Sequence, residues 1–97
     1  MHSNNKLTGV IKGRTIIGTQ NAADGMTLTF DDGSTLHVKT AGDRPVAVTG
    51  GTVQAVRQEG TTLELVFESG ANLEIPLAEP TSCVMVRDKR HVLEYAD

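Results

Sequence analysis

Four side chains carry the types needed for nucleophilic or acid–base chemistry in one small site: His37, Glu74, Cys83 and His91. A reactive thiol needs an electropositive, reachable setting. Cys83 instead opens the apolar run Cys83-Val84-Met85-Val86, where a free cysteine behaves as a small hydrophobe. His91 follows on the returning arm of the same hairpin, but the expected register sets it beside Arg87 rather than Cys83. His37 and Glu74 occupy outward strand positions. A small-molecule site built from this set requires at least two of the four to converge within hydrogen-bond reach. Asp31-Asp32 is a further candidate. Hard cations demand several converging oxygens and the spacing of a calcium loop is absent, so this pair reads as turn chemistry, in which aspartates bond their own backbone. His2, His37, His91 and Cys83 show none of the close pairs typical of zinc ligands. There is no nucleophile elbow, phosphate-cradling loop or dinucleotide fingerprint. No catalytic residue, metal or cofactor is expected.

The remaining chemistry is that of a surface. Arg87-Asp88-Lys89-Arg90-His91 is the one basic cluster and falls at a hairpin tip. Such a tip can touch phosphates, but nucleic-acid modules add stacking aromatics, and only Tyr95 is near. The net charge of −3 also argues against nucleic acid as the main partner. The charge is unevenly spread: from Glu59 to Glu79 there are five glutamates and no lysine or arginine. The basic tip of one copy is therefore complementary to the acidic stretch of another. Complementarity of this kind orients an interface more than it strengthens it. Cys83, Val84, Met85, Val86, Arg87, Lys89, Arg90, His91 and Tyr95 form the expected partner surface.

The elements that position these residues come in two copies. Shifting the chain by 37 positions lays residues 13–42 on 50–79 without a gap, with seven identities in 30 pairs: Gly13/Gly50, Thr15/Thr52, Leu28/Leu65, Phe30/Phe67, Gly33/Gly70, Leu36/Leu73 and Ala41/Ala78. Chance gives about two, and a period in this range marks repeated structural units. Met26, Leu28 and Phe30 alternate with Thr27 and Thr29, the period-two signature of a half-buried strand. Leu63, Leu65 and Phe67 do the same one repeat later. Strands are expected at 15–20, 26–30 and 35–39, and again at 52–58, 62–67 and 72–77. Asp31-Asp32-Gly33-Ser34 and Glu68-Ser69-Gly70-Ala71 supply bulged turns whose glycines take positive φ. A last hairpin spans 82–95, with its turn at 88–90. Its strand 84–86 is apolar on both faces, so it is either central in the fold or covered by a partner. Residues 6–12 read either as a helix with Asn5 as N-cap or as an edge strand, and 46–48 is a short apolar run.

The pattern Gly13-x-Thr15-Ile16 followed by Leu28-x-Phe30-x-x-Gly33-x-x-Leu36 is similar to that of small β-rich bacterial domains in general and implies no activity. The expected fold is mainly β: two three-stranded antiparallel meanders related by a pseudo-twofold axis, plus a C-terminal β-hairpin, in a barrel, roll or sandwich. Ninety-seven residues fit one domain with a thin core, and only three aromatics contribute to it. A small core without disulfides favours a homodimer. A single cysteine, no signal sequence and no long apolar run point to the cytoplasm rather than a membrane. The functional expectation is a non-catalytic binding or structural module, homodimeric through the hairpin. The alternatives are a small-molecule site or small enzyme at the repeat or dimer seam, and nucleic-acid binding through the basic tip.

Overall fold

The computed structural model describes residues 2–22, 25–40, 50–79 and 83–96. The turn centre at 23–24, the apolar run at 46–48 and residues 80–82 lie outside these. In chain order the elements are β1 (His2–Ser3), α1 (Asn5–Ile11), β2 (Ile16–Ala22), β3 (Gly25–Phe30), β4 (Thr35–Lys39), β5 (Val53–Glu59), β6 (Thr62–Phe67), β7 (Asn72–Pro76), β8 (Val84–Arg87) and β9 (Leu93–Ala96). They form two antiparallel sheets, not closed into a barrel, in the orders β1-β5-β6-β7 and β2-β3-β4-β8-β9.

The repeat is a structural repeat. Each copy is a meander, β2-β3-β4 and β5-β6-β7. Register slips between Ile16 and Gly18 in one copy and between Val53 and Ala55 in the other, 37 positions on. A bulge kept at one place in both copies is a designed bend rather than a defect. The bonds between the copies are reciprocal. The Ile16 amide donates to the Gly51 carbonyl at 2.9 Å and the Val53 amide to the Arg14 carbonyl at 3.0 Å. The Gly13 amide reaches the Val53 carbonyl at 2.8 Å and the Gly50 amide the Ile16 carbonyl at 2.7 Å. Two bridges, Thr15 with Thr52 and Thr40 with Leu77, join residues to their own counterparts. Only a pseudo-twofold axis produces that pairing.

Alternation fills the space between the sheets. Met26, Leu28, Phe30, Leu36 and Val38 from the first copy meet Val53, Val56, Leu63, Leu65, Phe67, Leu73, Ile75 and Leu77 from the second in one buried cluster. The segment expected at 6–12 resolves as helix over Asn5–Ile11 rather than strand, with Asn4 in place of Asn5 as the cap. The Asn4 side chain accepts from the Leu7 amide at 3.0 Å. Leu7 and Ile11, one turn apart, are buried. Seven residues are too few to hold a helix alone; tertiary bonds fix its position. The Asn4 amide donates to the Val56 carbonyl at 2.8 Å, and the Val56 amide donates to the Thr8 hydroxyl at 2.9 Å.

The C-terminal hairpin does not lie across the core as a separate cover. It extends the first copy's sheet, with β8 pairing to β4. β8 is an interior strand between β4 and β9; Val84 and Val86 turn inward to the core, while Met85 on the opposite face is half-buried. Its turn is longer than expected. The Asp88 carboxylate accepts from the amides of Arg90 at 2.8 Å and Val92 at 3.0 Å. His91 takes a positive φ of 63°, so strand pairing resumes only at Leu93.

Candidate contact surface on the C-terminal hairpin

The hairpin is anchored from inside and from its far edge. Cys83, Val84 and Val86 are buried in the core. On β9, Glu94 receives a forked pair of bonds from the Arg14 guanidinium at 2.9 and 3.2 Å, and the Tyr95 hydroxyl accepts from the Asn4 side-chain amide at 3.0 Å. Arg14, only 18% exposed, also donates to the Ser34 hydroxyl at 2.9 Å and lies 3.2 Å from Asp32. One side chain thus ties the link between α1 and β2 to the β3–β4 turn and the last strand. The hydrogen bond to Glu94 is the main reason the guanidinium is held even more firmly protonated than usual. Bidentate arginine–carboxylate geometry is the strong form of such a pair.

The tip sits against the first copy's turn. A methyl group on Gly33 would come 2.9 Å from the Lys89 Cβ. Asp32, Asp88, Lys89 and Arg90 line an open depression of about 380 Å³ between the two. Its carboxylates are occupied by their own turns. Partial burial works against the charged form of Asp32. The hydrogen bonds from the Ser34 hydroxyl and amide outweigh it, helped by Arg14, and hold the carboxyl below the usual aspartate value. Asp88 is likewise held low, first by the Val92 amide. Lys89 and Arg90 are left exposed at the rim.

Beside these cations lie Val92, 57% exposed, and Leu93, 49% exposed. With Ile17 they are the large apolar side chains left in solvent among the described residues. The sequence contained a sign of this: two consecutive apolar residues in a period-two strand cannot both face inward. Arg14 had its own sign, since its counterpart in the second repeat is Gly51.

The candidate chemical residues do not assemble. His37 is half-buried on β4, with its Nδ1 2.9 Å from the Thr27 hydroxyl. Glu74 is exposed on β7, in the other sheet. Cys83 is 4% exposed, and its sulfur accepts from the Glu79 amide at 3.2 Å. His91 is exposed in the turn, where its carbonyl accepts from Arg87 at 3.1 Å. No hydrogen bond or ion pair joins any two of these four among the described residues. Asp32 serves the turn, accepting from the Ser34 amide at 2.9 Å; Asp31 instead reaches outside it and accepts from the Thr15 amide at 3.3 Å. The described residues contain no group of three acidic, histidine or cysteine side chains placed to hold a metal, and no helix long and apolar enough to cross a membrane. Of the expected partner surface, Cys83, Val84 and Val86 belong to the chain's own core, and Met85 and Tyr95 are half-buried. Arg87, Lys89, Arg90 and His91 remain on the outside.

Comparison with protein-family models, curated proteins and solved structures returned no match.

Proposed function

We propose that this protein is a non-catalytic binding or structural module that forms a homodimer through its C-terminal hairpin. The observation that carries this reading is the exposed Val92-Leu93 pair beside Arg87, Lys89 and Arg90. Apolar side chains rimmed by polar ones are the usual composition of a contact surface. The partner copy offers the complementary charge in its second repeat, where Glu59, Glu68, Glu74 and Glu79 are exposed. A twofold arrangement satisfies both contacts at once, each hairpin facing the other copy's acidic repeat, and so closes. The single cysteine is buried and unpaired, in keeping with a reducing compartment, the cytoplasm.

Size-exclusion chromatography with light scattering tests this reading. The wild type is expected at dimer mass. Val92→Asp combined with Leu93→Asp, which alters exposed side chains only, is expected at monomer mass with unchanged circular dichroism. A wild type that stays monomeric at high protein concentration refutes the homodimer.

A further inference from the structure

The pseudo-twofold axis makes β4 and β7 equivalent strands, yet among the described residues only β4 carries a further strand. In the first copy, Thr35, His37 and Lys39 turn their backbone groups away from β3. The bond from the Phe30 amide to the Ser34 carbonyl, 2.9 Å, fixes that parity. Thr35 and His37 face Arg87 and Met85 of β8, and the Lys39 amide donates to the carbonyl of Cys83, just before β8, at 2.8 Å. In the second copy the matching bonds have the same parity: the Phe67 amide to Ala71 at 2.9 Å and the Leu77 amide to Thr61 at 2.6 Å. Asn72, Glu74 and Pro76 therefore present their backbone groups outward, and no strand lies beyond β7 among the described residues. Pro76 stands where the first copy has Lys39.

We infer that Pro76 closes the β7 edge to strand pairing and so reserves the hairpin for β4. Proline has no amide hydrogen, and its ring occupies the space through which an incoming carbonyl would approach. Proline within sheets is confined to edges for this reason, and an edge that carries it is a poor template for another chain. The need for such a device follows from the repeat. Two edges of one shape compete for one hairpin, and β7 of one molecule is the shape that β8 of another already fits on β4. Hairpin exchange onto β7 would not close; it would run from copy to copy. The dimer contact proposed above uses side chains of the same acidic repeat and leaves this edge unpaired, so the two proposals stand or fall separately.

Pro76→Thr restores the donor without changing charge, and Pro76→Ala does so with minimal side chain. Sedimentation equilibrium of both variants is read against the wild type, whatever its own state, with amide exchange locating any new pairing. The expected result is about tenfold tighter self-association, the worth of one recovered backbone hydrogen bond. New protection is expected at the amides of residues 72, 74 and 76. Self-association equal to wild type in folded variants overturns the inference. So does loss of folding in both, which would give Pro76 a purely structural role.

Discussion

The two repeats share a backbone and an inward face, and differ at their polar positions. Each has a glycine of positive φ entering its first strand, Gly13 at 86° and Gly50 at 83°, and another in its bulged turn, Gly33 at 86° and Gly70 at 90°. Each buries one phenylalanine at the same register, Phe30 opposite Ile16 and Phe67 opposite Val53. The polar positions have diverged. Thr27 and His37 share a hydrogen bond across the first sheet. Their counterparts Glu64 and Glu74 face each other as like charges, an arrangement that costs stability. Glu64 is nearly buried; one carboxylate oxygen accepts from Asn72 at 2.6 Å, while the other has Arg57 only at 3.7 Å and no hydrogen bond. At the entrance to the first strand, Arg14 reaches out to Ser34 and Glu94. In its place Gly51 lets the Phe67 ring lie on the backbone, where a methyl group would be 2.9 Å from the ring. Inward positions and positive-φ positions are set by packing and sterics common to both copies. Outward positions answer to whatever each copy touches.

The sharpest test of this equivalence is at its centre. Phe30→Ala and Phe67→Ala are each expected to cost about 3–5 kcal/mol, since both rings are almost fully buried and both deletions leave a cavity. Urea unfolding monitored by circular dichroism measures this. A large loss for one variant and none for the other would break the equivalence of the two cores.

The turn glycines sharpen the comparison by separating strain from contact. Gly33→Val and Gly70→Val both force a β-branched residue to positive φ, at about 1–3 kcal/mol each. Gly70 has open space around it, whereas Gly33 lies against Lys89. The first substitution is expected to be the more damaging, with the excess appearing as faster amide exchange in the C-terminal hairpin. Equal melting shifts and an undisturbed hairpin would show that the tip and the turn are not coupled.

The smallest effect concerns acid. In the folded protein Asp32 titrates below its unfolded value, so its contribution is present above that value and fades as pH falls through the lower, folded one. The equivalent position is Ser69, whose hydroxyl accepts from the Ala71 amide at 3.4 Å and does not titrate. As pH falls through the folded Asp32 pKa, which lies below the ordinary value of about 4, the Ser34 amide is expected to lose exchange protection while Ala71 keeps its own. Parallel changes at both turns would assign the acid response to something other than Asp32.

Much of this architecture was legible in the chain. Period-two alternation around Phe30 and Phe67 named the inward residues, and Gly33 and Gly70 marked the turns. These are local consequences of side-chain size and backbone sterics. The helix was ambiguous because seven residues with two nearby glycines carry little intrinsic preference, and its cap shifted to Asn4 once Val56 was available to bond. The contact surface was half legible. The basic tip was visible as composition, but the Asp88 turn takes Val92 out of the expected strand and leaves Leu93 exposed at the start of β9.

Sequence alone determined that there are two copies of one unit and which face of each strand is apolar, because both follow from short-range periodicity. Tertiary structure decided how the copies meet, which of two matching edges takes the hairpin, and that Arg14 finds Glu94 across 80 positions. Local pattern cannot rank β4 against β7, since their apolar residues alternate alike. The ranking rests on long-range backbone pairing, in which β8 lies on β4 and the Lys39 amide donates to the Cys83 carbonyl.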